Sequence, residues 1–301
     1  MRLVLTSAIL ASALALAGCA STPATASASD SRIRVVASTN VYGDIARQIG
    51  GSSISVDSLI SNPSQDPHSY EADAQVQLAL SHADVVIENG GGYDDFVDTL
   101  LTGASNPGVT VLNVTKVSGR DLSPADGKFN EHLWFDYPTV AKLAARLAAR
   151  FTALDPGRAS TFAANQKKFD AAIAVFENDE AAIKTAHAGD GVAITEAVPL
   201  YLLDAAGLDN KTPAKFSEAI ENGTDVSPLV LKDTLALFSG RRVKLLAYNE
   251  QTTGPQTQQV LAAANSAGIP AVPVRETLPS GTGYLSWMTQ TLSAIKAALD
   301  K

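Results

Sequence analysis

The chain has 301 residues, 46% of them apolar, and 23 Lys and Arg against 31 Asp and Glu for a formal net charge of −8. That length and apolar content can bury one large or two medium cores. The acidic balance, without a basic cluster, excludes nucleic acid as a partner, which needs Lys and Arg gathered into a patch or stripe.

The N-terminal segment stands apart from the rest. Arg2 gives a short positive region, Leu3 to Leu16 form a mostly apolar stretch too short to span a bilayer comfortably, and the stretch ends in Leu16-Ala17-Gly18-Cys19. Small residues just before a cysteine, at the end of an apolar segment, resemble the lipobox of bacterial lipoproteins. The resemblance implies a leader over residues 1–18, cleavage before Cys19 and lipidation of the Cys19 thiol. Cys19 is the only cysteine, so its acylation leaves no thiol for disulfides or thiolate metal ligands. Residues 19–32 are mostly small and polar and cannot build a core, so they read as a flexible tether. No later segment reaches about 18 continuous apolar residues. The expected product is tethered to a membrane by lipid and otherwise soluble.

From Ile33 onward short β-branched runs alternate with longer amphipathic segments. Residues 33–37 predict a strand, 41–49 a helix stopped by Gly50-Gly51, and 54–60 a second strand that runs into the loop holding His68. A helix over 73–82, a strand over 85–88, a helix over 94–101 and a strand over 109–114 follow, within a first lobe at 33–137. Strands separated by helices imply βαβ units, a parallel sheet and right-handed crossovers. Residues 138–188 form a helical connection. Pro138 opens a helix with Val140, Leu143, Leu147 and Phe151 at helical spacing, and Pro156 breaks it. Residues 158–187 then read as one helix roughly 40 Å long at 1.5 Å per residue. Strands at 192–195, 244–248 and 271–274 and a terminal helix at 284–299 build a second lobe over 189–301. The expected fold is α/β: two βα lobes with parallel sheets, joined by a long connecting helix.

Of the four histidines, two stand in polar, turn-like sites: His68 in Asp66-Pro67-His68-Ser69-Tyr70-Glu71 and His132 in Asn130-Glu131-His132-Leu133-Trp134. Glu196 and Glu276 lie just past strands of the second lobe. In open parallel sheets the carboxyl ends of strands line the crevice where ligands bind. His68 and His132 from one lobe and Glu196 and Glu276 from the other would therefore meet in the cleft between lobes. Imidazole nitrogens and carboxylate oxygens without sulfur suit Zn²⁺, Mn²⁺ or Fe²⁺. A divalent ion also neutralises carboxylates that would be costly to bury together. His82 and His187 lie at helix ends, where a histidine interacts favourably with the helix dipole. Trp134 and Trp287 read as packing residues. Asp136 reads either as the group that orients His132 or as a cap for the following helix.

Several local patterns carry a family resemblance that runs from about Ile33 to the C-terminus. They are Val41-Tyr42-Gly43-Asp44-Ile45-Ala46 leading to Ile49-Gly50-Gly51, Asp66-Pro67-His68-Ser69-Tyr70-Glu71, Ala83-Asp84-Val85-Val86-Ile87 with Asn89-Gly90, and His132-Leu133-Trp134 followed by Asp136 and Pro138. With them the chain resembles the cluster A-I metal-binding lipoproteins, the extracytoplasmic substrate-binding components of zinc or manganese ABC importers. The resemblance implies metal ligands at His68, His132, Glu196 and Glu276. It implies a carried ion, Zn²⁺ or Mn²⁺, that is delivered to a cognate ABC permease and its ATPase. It also implies a monomer held at the extracytoplasmic face of the cell membrane through Cys19, and limited lobe movement about the long helix.

Three positions depart from the family pattern. Glu131 stands where many members have proline, Glu196 where zinc-preferring members often carry histidine, and Glu276 where aspartate is common. Two histidines with two carboxylates resemble manganese-binding members, although the Irving–Williams order makes the same site hold Zn²⁺ more tightly in vitro. Residues 117–130 contain Asp121 and Asp126 but no histidine, unlike the His- and Asp-rich loop of many dedicated zinc members. Two other function classes compete. A membrane-tethered metallohydrolase would use an open coordination position for water, but His-Glu-x-x-His is missing, and Gly90-Gly91-Gly92 is no phosphate loop because no Gly-Lys-Ser/Thr follows. A metal-binding adhesin, a role described for some relatives, has no protein-binding surface marked in this sequence. The expectation is a binding protein and not an enzyme.

Overall fold

β1 (Ile33–Thr39) is buried at every position except Arg34, as a β-branched run is when both faces of a parallel sheet are covered. The computed structural model describes residues 32–62, 65, 70, 74–124 and 128–301. The expected leader, Cys19, the tether up to residue 31 and His68 lie outside the described residues.

β1 pairs in parallel with β2 (Ile54–Ile60) and β3 (Val85–Glu88), and β3 pairs with β4 (Thr110–Asn113), giving the order β2-β1-β3-β4. The register sets Val35 opposite both Val56 and Val85. α1 (Asn40–Gly50) lies close over β2, and Gly43 permits it: a Cβ there would stand 2.1 Å from Ser58 Oγ. α2 (Ala74–His82) and α3 (Phe96–Ala104) cover the opposite face, where Val76, Leu80 and Val97 pack on Val36 and Val86. After β4 comes a short helix that the periodicity does not reveal, α4 (Val114–Ser118), capped by the Asn113 side chain accepting from the Lys116 N–H.

Two helices then cross the molecule. α5 (Tyr137–Leu154) ends before the turn at Pro156–Arg158, and α6 (Ala159–His187) runs for 29 residues. The stripe Phe162, Phe169, Ile173, Phe176 and Ile183 is buried along α6, and it is this stripe that fixes the long helix to the rest of the chain.

The second lobe repeats the first. It contains β5 (Gly191–Ile194), α7 (Leu200–Ala205), β6 (Asp209–Asn210), α8 (Ala214–Glu221), α9 (Pro228–Ser239), β7 (Leu246–Asn249), α10 (Pro255–Ser266), β8 (Ala271–Val274) and α11 (Tyr284–Leu299). Its strands are parallel in the order β6-β5-β7-β8. In each lobe, therefore, the second strand flanks the first on one side and the third on the other. Strand order reverses between the first and third strands, the place where open α/β sheets hold ligands. The expected fold, two parallel-sheet α/β lobes with a long helix between them, is the one observed.

One continuous apolar core joins the lobes. It runs from Val35 and Ile45 through Phe135, Leu143 and Phe169 to Val192, Leu202 and Ile295, while smaller cores sit on the outer faces of the two sheets. Polar groups reinforce the joint. The Asn40 Nδ2 donates to the Leu278 carbonyl at 3.3 Å, the Leu278 N–H donates to Asn40 Oδ1 at 2.9 Å, and the Tyr284 N–H donates to Asp44 Oδ2 at 2.8 Å. No helix among the described residues is long and apolar enough to cross a membrane.

Candidate metal centre

The turn after β3 fixes the first side of the site. Gly90 and Gly91 adopt φ of 72° and 69°, a left-handed conformation that glycine takes without strain. The Asp94 carboxylate closes the turn by accepting from the N–H groups of Asn89 and Gly90, both at 2.7 Å. Burial raises the Asp94 carboxyl above its ordinary range, and these N–H groups pull it back. The turn presents the Asn89 amide to a loop distant in sequence. Asn89 Nδ2 donates to the Glu131 carbonyl at 3.0 Å, while the Tyr42 hydroxyl donates to Asn89 Oδ1.

Glu131 precedes His132, whose ring is buried at 1% exposure. His132 Nδ1 lies 2.7 Å from Asn130 Oδ1. The orientation of the Asn130 amide is set independently: Oδ1 also accepts the His132 N–H at 3.1 Å, and Nδ2 donates to the Ala197 carbonyl at 3.1 Å. An amide oxygen only accepts, so Nδ1 carries a proton, which makes Nε2 the nitrogen whose lone pair a metal would take. Trp134 stands edge-on at 5.2 Å between ring centroids and Tyr93 at 6.1 Å, which restricts rotation of the imidazole. Trp134 and Trp287 are buried in the core, so both are packing residues as expected.

Asp136 serves neither role expected of it. Its carboxylate pairs with Arg120 at 2.7 and 2.8 Å and accepts from the Thr139 hydroxyl, and it makes no cap bond to an N–H of α5. Arg120 in turn stacks over the Tyr201 ring at 4.2 Å, and the Tyr201 hydroxyl donates to the Asn130 carbonyl at 2.7 Å. Asn130 is the residue that orients His132, and it bridges to the second lobe through Ala197 and Tyr201.

In the second lobe, Glu196 and Glu276 each stand two residues past the end of a strand, β5 and β8, and are only 3% and 4% exposed. The end of β5 is tied to β7 where the Asn249 N–H donates to Thr195 Oγ1 at 2.8 Å. Asn249 Nδ2 donates to Glu276 Oε1 at 2.9 Å. Gln251 Oε1 accepts from the N–H groups of Glu276 and Thr277 at 2.6 and 3.2 Å. Two carboxylates are thus held in a largely dry place by the sheet backbone and its amide side chains.

Two donors join this set that the sequence motifs do not mark. One oxygen of Glu131, one nitrogen of His132 and one oxygen of Glu221 lie within 4.8 Å of one another. Glu221 is the last residue of α8. Burial raises its carboxyl to about 8, helped by the charge and hydrogen bond of Glu131 and by the charge of Glu276, while a hydrogen bond from the Ala197 N–H opposes the shift. Glu131, Glu196 and Glu221 wall one cleft of about 720 Å³. His132 therefore lies beside two of the carboxylates that wall the cleft, Glu131 and Glu221, while Glu196 lines the same cleft and the charge of Glu276 reaches Glu221. Glu131 is visible in the sequence only as a departure from a family proline. Glu221 sits on a short helix with no motif around it.

The family model for ZnuA, zinc-uptake complex component A periplasmic, matches residues 35–298. The manganese-binding lipoprotein MntA of Bacillus subtilis (strain 168) is 32% identical over 171 residues, which are 56% of this chain and 55% of MntA. The manganese ABC transporter substrate-binding lipoprotein scaA of Streptococcus gordonii is 26% identical over 169 residues, 54% of each chain. Each match spans about half of the relative's length. Among solved structures, the Mn-bound periplasmic metal binding protein from Candidatus Liberibacter asiaticus superposes with a TM-score of 0.70 at 18% identity, covering 89% of this chain and 100% of that one. At that identity the likeness establishes the two-lobed fold. With the family model matched across nearly all of the described residues, the chain belongs to the ZnuA family of periplasmic zinc-uptake complex components.

Proposed function

We propose that this protein captures a divalent transition metal, zinc or manganese, outside the cytoplasm and delivers it to a cognate ABC permease and its ATPase. His68, His132, Glu196 and Glu276 are the metal ligands in this reading. Cys19 carries the lipid that holds a monomer at the extracytoplasmic face of the membrane, where tethering raises the effective concentration for docking. The observation that carries the reading is His132: a buried imidazole with Nδ1 committed to Asn130, within 4.8 Å of carboxylate oxygens of Glu131 and Glu221, which wall a cleft together with Glu196. Neutral nitrogen with carboxylate oxygen is the chemistry of a Zn²⁺ or Mn²⁺ site. Family membership supports a binding component and not an enzyme. The names of the relatives, manganese-binding and ABC transporter substrate-binding lipoproteins, support the same cargo, the permease as partner and the lipid anchor.

The test is metal content of protein purified without added metal, followed by competition titration with Mn²⁺ and Zn²⁺. The wild type should carry about one equivalent of metal, and a His68→Ala, His132→Ala double variant should carry almost none while keeping its fold. A double variant that binds both metals as the wild type does would overturn the site and the function with it.

A further inference from the structure

The four ligands of the proposed site would already complete the tetrahedron that Zn²⁺ takes in closed sites. Yet the cleft offers more oxygen than that. Glu131 and Glu221 lie 90 positions apart in sequence and come from different lobes, and each brings a carboxylate oxygen within 4.8 Å of a His132 nitrogen. Two donors sharing one ion at about 2.1 Å can be no more than about 4.2 Å apart. Three donors spread evenly around one ion stand about 3.6 Å apart, so an inward shift of each side chain by up to about 0.7 Å lets one ion take all three.

The placement of Glu221 is fixed by packing rather than by chance on a mobile surface. Phe216 and Ile220 bury one face of α8 in the outer core of the second lobe, so the C-terminal turn of α8 is held at the cleft wall. That end of a helix carries partial negative charge from its unpaired carbonyls. A carboxylate there, touching a second carboxylate, is an unfavourable arrangement that a cation relieves. The imidazole in the same group supplies a transition-metal donor, which distinguishes the group from a solvated acidic patch.

Resting on the metal-binding reading of this cleft, we infer that Glu221 is an oxygen donor to the bound ion, and that with Glu131 it shifts the site from zinc towards manganese. A fifth or sixth donor has no place on tetrahedral Zn²⁺, whereas Mn²⁺ accepts six donors and favours carboxylate oxygen.

Mn²⁺ and Zn²⁺ titrations of the full chain against a competing chelator, for wild type, Glu221→Gln, Glu131→Gln and His132→Ala, test the inference. Glu221→Gln should lower Mn²⁺ affinity roughly tenfold or more, change Zn²⁺ affinity less than about threefold, and alter the frozen-solution EPR spectrum of bound Mn²⁺. Glu131→Gln should shift the ratio of the two affinities in the same direction, and it gives the answer if Glu221→Gln does not fold. Mn²⁺ affinity within about twofold of wild type with an unchanged EPR spectrum, or equal loss for both metals, would overturn the role of Glu221. His132→Ala separates the two readings. If it loses metal while Glu221→Gln does not, only this inference fails. If it binds both metals normally, the proposed function fails as well.

Discussion

The two lobes share a strand order but place their donors in different ways. In the second lobe Glu196 and Glu276 stand two residues past β5 and β8, so the strand ends place both, and the amides of Asn249 and Gln251 only secure Glu276 there. In the first lobe His132 comes from a loop between α4 and α5, and side-chain amides position it: Asn89 holds the Glu131 carbonyl and Asn130 holds the ring. A donor on a strand end depends on few side chains, whereas a donor on a loop is only as well placed as its hydrogen-bond partners. The lobes should therefore respond differently to substitution.

The largest effects should come from the strand-end carboxylates. A Glu196→Gln, Glu276→Gln double variant should lose metal affinity by more than about 100-fold, beyond what partner residues around a ligand usually contribute. Its metal-free melting temperature should rise, because neutral amides replace two buried carboxylates, one of which acts by its charge on Glu221. His132→Ala should lose metal without that gain. Calorimetry with and without metal checks both, and a double variant whose metal-free form melts lower than wild type would break the contrast. A smaller effect belongs to the loop. Asn130→Ala should weaken metal binding by about 10- to 100-fold, since His132 loses the acceptor that fixes its tautomer. Asn130→Asp keeps an acceptor but gives up the bond to the Ala197 carbonyl, so partial rescue would separate orientation from bridging.

Which parts were legible in the sequence follows from the same contrast. Strands 54–60, 85–88 and 271–274 and the terminal helix 284–299 appear with those bounds, because β-branched runs between glycine-rich or polar turns and a long apolar stripe mark them strongly. Glu196 and Glu276 could be singled out by position, as acids directly after such strands. Asp136, by contrast, pairs with Arg120, and Asn130 takes its expected place: both lie within four residues of His132, and only tertiary contacts with Ala197 and Tyr201 decide between them. Residues 200–240 hold helices of six to twelve residues, too short for a periodic face to mark their ends, so Glu221 at the end of α8 had no signal of its own.

Between the lobes α6 carries a buried carboxyl that tests the shared core. Glu180 is 6% exposed on a face otherwise apolar. Burial, followed by the charges of Glu177 and Asp136, raises its carboxyl to about 8 from an ordinary 4.5. Its folded-state affinity for the proton exceeds that of the unfolded chain, so its contribution to stability is full below pH 4.5 and declines as pH rises towards 8. Glu180→Gln should match wild type at pH 4.5 and exceed it by about 2 kcal/mol at pH 8, a figure well below the full linkage value because water relaxes around the helix. Denaturant unfolding at the two pH values measures the difference. An equal offset at both would mean that the carboxyl is solvated and that the joint is looser than its apolar contacts suggest.

The smallest effect bears on how far the lobes can move. Asn40, at the start of α1 in the first lobe, makes two hydrogen bonds with the backbone of Leu278, two residues beyond Glu276. Asn40→Ala should cost about 1 kcal/mol, the net value of ordinary hydrogen bonds at a partly hydrated site. The informative quantity is how that cost divides between forms. A core continuous from Ile45 through Phe169 to Ile295 would have to open for a wide hinge motion, so the clasp should be equally intact with and without metal. Asn40→Ala should then lower stability equally in both forms and leave the stabilisation conferred by metal unchanged. A cost confined to the metal-loaded form would mean that the clasp closes only when Glu276 engages the ion, and that the lobes move against each other through this joint.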